Sequence, residues 1–265
     1  MINPVLEKEF RLRMRTVRSP VLLFAYLLAI GVLAFGYLYI RSAFTNTFRF
    51  DPEESRLMFY FLSASQLVLL SFLVPGLTAG AVSGEREKQT LNILLTTPQS
   101  SAAIALSKLA ASLAFTALAV IATTPVYAVV FLYGGVSPRQ LAAVFLFYLL
   151  VMLSLGSVGV ACSTVLRRTV VSVVAAYGFV VFLYGFTAFF ALLFGAMTKE
   201  RWIAGLTLGL NPMAALVSMF ESGLSEEMFR GTIVPWLRIE YLFVDYHVAI
   251  AAIGLTAAIL RLRPR

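Results

Sequence analysis

The strongest constraint on this chain is the recurrence of long, nearly uncharged apolar runs. Pro20–Ile40, Leu57–Val82, Ala102–Tyr133, Gln140–Leu166, Thr169–Gly195 and Tyr241–Leu260 are six such runs. Each supplies the roughly 20 apolar residues that a helix needs to cross about 30 Å of hydrocarbon. Where no water can satisfy peptide groups, a helix satisfies its own. Composition agrees, since 60% of the 265 residues are hydrophobic and only 13% charged. Soluble domains lie nearer about half apolar and about a quarter charged. The expectation is an all-α polytopic membrane protein with six transmembrane helices. The first run exceeds the h-region of a signal peptide and no small-residue cleavage site follows it cleanly, so it is expected as an ordinary span.

Charge then sets the orientation. Six spans put both termini on one side, with Lys8, Arg11, Arg13, Arg15, Arg18, Arg86, Lys88, Lys108, Arg167, Arg168, Arg261, Arg263 and Arg265. Against these thirteen cations stand only Glu7, Glu9, Glu85 and Glu87, a net of +9, while the opposite side carries −1. Cation-rich loops remain cytoplasmic, so both termini are expected inside. Tyr37, Tyr39, Tyr60, Tyr133, Phe194, Trp202, Trp236 and Tyr241 fall at the outer ends, as an interfacial belt does. Ser55 and Ser222 belong to outer segments on the same reading. The basic balance is accounted for by topology and anionic membrane lipid, and calls for no nucleic-acid partner.

Little lies outside the spans, leaving no room for a separate soluble domain, and no internal repeat is visible. Residues 1–19 open with Asn3-Pro4, a cap and a first-turn proline. Ile2, Leu6, Phe10, Met14 and Val17 then recur at helical spacing beside a basic face, predicting an amphipathic helix in the inner interface. Residues 20–265 form the six-helix membrane domain. Its outer loop, residues 196–240, breaks at Asn211-Pro212 ahead of "MAALVSMF" and is expected to hold short helices that dip toward the outer leaflet.

Much chemistry is missing. The single Cys162 excludes an internal disulfide framework or a Cys-cluster metal site. No G-x-x-x-x-G-K-[ST] loop occurs, so phosphate binding of that kind is excluded. His247, the sole histidine, has no second ligand at metal-site spacing and reads, with Asp245, as an interfacial group. No nucleophile–base pair is evident. Ion-coupled transporters place charges deep in their helices. Here the second, fourth and fifth spans carry none, and Lys108 reads as snorkelling to the inner surface. An energy source must therefore lie on another chain.

The exception to this greasiness is Ser83–Ser100, "SGEREKQTLNILLTTPQS", between the second and third spans on the cytoplasmic side. Gly76, Gly80 and Gly84 allow close helix contact as the second span leaves lipid. Glu85, Arg86, Glu87 and Lys88 follow in a row; Leu91, Leu94 and Leu95 form one stripe that Thr97-Pro98 ends; and Ser100 or Ser101 can cap the next helix. Physics alone allows either a docking surface or a solvated hairpin turn.

This segment resembles the signature of type-2 ABC-transporter permeases, S-x-E-[RK]-E-x-G-T-L-x-x-L-L-x-[ST]-P. Ser83, Glu85, Arg86, Glu87, Thr90, Leu91, Leu94, Leu95, Thr97 and Pro98 match, while Gln89 replaces the usual Gly and Asn92 a frequent acid. The opening "NPVLEKEF" and the six-span plan with a long last outer loop are similar as well, so the resemblance covers the whole chain. It implies the transmembrane subunit of an ATP-driven bacterial exporter in the inner (plasma) membrane, acting as a homodimer or a heterodimer. Cytosolic ABC ATPase subunits would dock on Ser83, Glu85, Arg86, Glu87, Thr90, Leu91, Leu94 and Leu95. ATP and Mg would sit on that partner and no cofactor on this chain. It also implies that the second and fifth spans line the substrate pathway, with Gln66, Ser71, Tyr177, Tyr184 and Thr187 as the principal polar candidates beside Ser63, Ser65 and Ser172. Each of these reads equally as an interhelical hydrogen bonder. So apolar a lining suits an amphiphilic or hydrophobic substrate. Two alternatives stay open, an ATP-independent secondary transporter or channel, and a non-transporting membrane subunit of a larger complex.

Overall fold

The computed structural model describes residues 7, 9–11, 15–45, 52–91, 99–132, 134–197, 201–230 and 236–262. Among these the chain is helical without strands, and six helices are long and apolar enough to cross a membrane: Ser19–Ala43, Pro52–Glu87, Ser101–Leu132, Pro138–Val165, Thr169–Met197 and Ile239–Leu262. The fourth span is the hub and packs on the second, third, fifth and sixth. Half of the most apolar stretch of the second and fourth spans is buried, against 17% in the first and 22% in the fifth. The first and fifth spans thus leave most of their surface to lipid or to another chain. The hub approaches its neighbours closely because its packing face is small: a Cβ on Gly159 would overlap the Thr78 side chain.

Local chemistry sets the span ends. Ser137 and Gln140 form a capping box ahead of the fourth span, with Pro138 in its first turn. Ser100 accepts from the Ala103 amide at 3.1 Å and caps the third. Two spans are broken. The third changes course at Thr123, just before Pro125, where the Thr123 and Thr124 hydroxyls each donate at 2.6 Å to a carbonyl three residues back. Gln66 braces that break from the second span, donating to Thr123 Oγ1 at 3.1 Å and accepting from Tyr127 Oη at 2.6 Å. The fifth span holds a π-helical turn, Phe182–Phe186, between Thr169–Val181 and Thr187–Met197.

Between the fifth and sixth spans the described residues form short helices. Arg201–Leu208 and Pro212–Phe220 meet at a bend of 107°, and Ser222–Phe229 follows. Ser218 and Ser225 fasten the last two to the sixth span, both through the Glu240 carboxylate and, for Ser225, also through the Ile239 amide.

Three expectations need correction. Ser55 is buried, its hydroxyl donating to the Val130 carbonyl at 2.8 Å, and so offers no outer surface. His247 lies inside the bundle, stacked on Phe243 with centroids 3.9 Å apart, and does not anchor at the interface. Lys108 does not snorkel; its side chain is 2% exposed. The amphipathic reading of residues 1–19 falls largely outside the described residues.

Cysteines placed at the exposed Glu53 and Glu226 in a Cys162→Ser background are expected to react with an impermeant thiol reagent in intact cells, whereas one at Gln89 is not. Labelling at Gln89 would reverse the assigned orientation.

Candidate functional site

The mixed-charge segment begins as a one-turn helix, Ser83–Glu87, joined to the second span by a turn, with Ser83 and Leu91 buried, Glu85 and Arg86 half-buried and Glu87 exposed. Ser83 is fully buried. The Val82 and Ser83 amides both donate to Ser163 Oγ, at 2.8 and 2.9 Å, which fixes the start of the turn against the fourth span. Arg86 donates to the carbonyls of Thr164 at 3.0 Å and Leu166 at 3.1 Å, groups left orphaned where the fourth span ends. Glu87 serves the opposite need. Arg168, at the cap position of the fifth span, makes no side-chain cap, and the Glu87 carboxylate accepts instead from the Thr169 amide at 2.7 Å and its hydroxyl at 2.9 Å.

Glu85 carries the largest electrostatic stake. Its Oε1 lies 2.6 Å from Lys108 Nζ of the third span, which also reaches Glu9 Oε1 of the N-terminal arm at 2.9 Å. One cation thus joins three segments far apart in sequence. Gln89 ends the turn at φ 59°, a left-handed conformation in which Gly is normally favoured. The Thr90 amide and hydroxyl then close back on the Glu85 carbonyl at 3.0 and 3.2 Å. Leu91 is buried against Val82, Ile104, Leu109, Val160 and Leu262. Leu94 and Leu95 lie outside the described residues. What remains for a partner is the exposed tip, Lys88, Gln89 and Thr90, beside the equally exposed Glu87.

The pathway candidates divide. Gln66 belongs to the brace at the third-span break. Tyr177 donates to the Phe72 carbonyl at 2.8 Å and sits over Gly76, so the predicted glycine face does pack on the fifth span. Ser172 donates to the Ala79 carbonyl at 2.6 Å. Ser71, Tyr184 and Thr187 come together, with Ser71 Oγ and Tyr184 Oη 2.5 Å apart. Asn211, read in sequence only as a break, joins two of them, donating to the Tyr184 carbonyl and to Thr187 Oγ1, each at 2.9 Å. An apolar groove of about 620 Å³, lined by Leu146, Leu150, Leu153, Met219 and Val244, lies elsewhere, between the fourth and sixth spans and an outer-loop helix.

The profile of the ABC-2 family transporter proteins matches residues 3–253. The chain belongs to the ABC-2 transporter family. It is accordingly a multi-pass permease of an ABC transporter, a kind of subunit that associates with an ABC ATPase. No curated protein matches it. Sequence reasoning found the family's motif but missed the interior partners of that motif, Glu9, Lys108, Ser163 and Thr169. Only Lys108 had a local signal, a lone cation inside an apolar span.

Two predictions follow from these contacts. Glu85→Lys opposes Lys108 with a like charge and should destabilise the protein by about 2–3 kcal/mol, less than a fully buried pair because a quarter of the Glu85 side chain is exposed. Thermal melting in detergent measures this, and the exchanged pair Glu85→Lys/Lys108→Glu should recover part of the loss. Gln89→Gly should raise stability by about 1 kcal/mol by relieving the left-handed backbone, detected in the same melts.

Proposed function

We propose that this chain is the membrane subunit of an ATP-driven exporter, with both termini cytoplasmic, and that the Ser83–Thr90 turn receives the motion of the partner ATPase. The observation that carries this reading is the contrast between the turn's base and its tip. The base is bonded to the N-terminal arm and to the third, fourth and fifth spans. The tip, Lys88–Thr90, is exposed. A push on such a tip displaces four elements together, because the turn cannot bend without breaking charge-assisted bonds. ATP and Mg belong to the partner on this reading, since the chain has no phosphate loop. Coupling is proposed for Ser83, Glu85, Arg86, Glu87 and Leu91 as the base that transmits, for Thr90 within the exposed tip, and for Leu94 and Leu95 as the apolar seat that follows.

A dimer, homomeric or heteromeric, is part of the proposal. The fifth span favours it, with Val170, Val174, Val181, Phe182, Phe186 and Phe189 exposed along its length. The pathway would run beside Ser71, Tyr177, Tyr184 and Thr187, an aromatic and hydroxylic lining suited to an amphiphilic or hydrophobic substrate.

The test uses the chain co-expressed with its ATPase. Lys88→Glu reverses an exposed tip charge and should leave melting unchanged while lowering ATPase affinity and transport at least about fivefold. Arg167→Glu, on the other cytoplasmic loop, should do less. Wild-type coupling in Lys88→Glu, or substrate transport by proteoliposomes lacking any ATPase, would overturn the proposal.

A further inference from the structure

The apolar groove between the fourth and sixth spans has the dimensions of a lipid chain. Along the fourth span it runs from Ala143 to Leu153, the half remote from the Ser83–Thr90 turn, which packs on Ser163 and Thr164. Ten residues of helix rise about 15 Å, half of a roughly 30 Å hydrocarbon core and so the depth of one leaflet. The stacked rings of Phe147 and Phe243, with centroids 4.6 Å apart, line it from the two spans, and Met219 does so from the outer-loop helix. Its volume of about 620 Å³ lies within the roughly 300–1,000 Å³ of small-molecule sites.

Glu240 is the one charged residue in that lining. It is half-buried, and its carboxylate accepts from the Ser218 hydroxyl at 2.6 Å and the Ser225 hydroxyl at 3.3 Å. Both donors are neutral, and among the described residues no cation pairs with it. A carboxylate offers about four lone-pair sites, so acceptor capacity remains. Beside an apolar groove its charge calls for a counter-charge. Cations with the opposite need stand at the mouth. Arg139 lies one turn outside Ala143 on the same face of the fourth span, and Arg238 immediately precedes the sixth. Both are exposed, and neither forms an ion pair among the described residues. Trp236 and Tyr241, also exposed there, are the residues of a headgroup belt. With the exposed Asp245 the mouth carries two cations and two acids, so it matches a zwitterion better than a simple anion.

We propose that this groove holds one acyl chain of a resident phosphatidylethanolamine. Its phosphodiester meets Arg139 and Arg238, and its primary ammonium donates to Glu240. Phosphatidylglycerol brings the phosphate without the cation, and phosphatidylcholine a cation with no N–H to donate. The bound chain joins the fourth span, the sixth span and the helix that Ser218 already fastens to Glu240, so it stabilises that corner of the bundle by mass action. The groove is apart from the polar pathway candidates and needs no ATPase, so it is independent of the permease reading.

The purified chain in neutral detergent is titrated with phosphatidylethanolamine, phosphatidylglycerol and phosphatidylcholine of one acyl composition. Native mass spectrometry reads bound lipid, and thermal melting is the second readout. Phosphatidylethanolamine should bind at least about fivefold more tightly than the other two and raise the melting temperature most. Ala143→Trp fills the groove at its smallest lining residue and should weaken all three lipids about tenfold while melting without lipid stays near wild type. Arg139→Gln/Arg238→Gln should weaken all three alike, since each carries the phosphodiester. Glu240→Gln should remove only the preference for phosphatidylethanolamine. Equal binding of the three lipids, a preference for phosphatidylglycerol, or phosphatidylethanolamine binding that survives Ala143→Trp overturns the proposal. Should Ala143→Trp fold poorly, an unchanged preference in Glu240→Gln decides against it alone.

Discussion

Lys108 is where the architecture commits itself. An ammonium within an apolar helix bundle must be neutralised or hydrated, and with 2% of its side chain exposed hydration is denied to it. Two carboxylates answer it, Glu85 at 2.6 Å and Glu9 at 2.9 Å, from segments 23 and 99 residues away. Neither acid can be withdrawn cheaply, because the cation stays behind. The N-terminal arm, the turn after the second span and the third span are therefore held in a single arrangement at one end of the bundle. Apolar packing alone, being non-directional, would not select it.

The same logic recurs wherever a helix breaks or ends. Inside a membrane protein a freed peptide group finds no water, so a side chain from elsewhere must reach it. Arg86 serves the last carbonyls of the fourth span, Glu87 the first amide of the fifth, and Asn211 the widened turn near Tyr184. Gln66 braces Thr123 at the break in the third span. Among the described residues, polar side chains serve such repairs or bond carbonyls of their own helices. This is why those expected to line a pathway are found bonded within the bundle, and why only a subset of them can also meet a substrate.

These repairs also explain how far the sequence could be read. Spans are legible because their signal is local: twenty apolar residues announce themselves, and Ser137-Pro138 or Ser100 marks a start within four residues. The turn was legible as a motif but not as a structure. A run of Glu85, Arg86, Glu87 and Lys88 looks solvated when its partners Lys108, Thr164 and Thr169 lie tens of residues away; Glu87 and Lys88 are exposed, while Glu85 and Arg86 are half-buried. His247 misled for a related reason, since an outer-end position in the chain did not reveal the Phe243 ring beneath it. Asn211 was read only as a break from the Asn-Pro pair, a pattern that also fits the cap it makes. Its second pair of bonds was hidden because a π-helical turn carries no period that a sequence displays.

Gln89 ties the local and the functional views together. In the family's motif this position is usually Gly, and the left-handed φ of 59° supplies the reason, since the turn must reverse here for Thr90 to close on the Glu85 carbonyl. A β-carbon at that position costs on the order of 1 kcal/mol. The chain bears that cost because four bonded neighbours over-determine the fold of the turn, so the strain is held at the exposed tip and not relieved by unwinding. On the proposed reading, a tip held in this way is stiff along the direction in which an ATPase would press. On the proposed reading that stiffness, more than any one charge, lets a cytoplasmic contact move the inner ends of the third, fourth and fifth spans together.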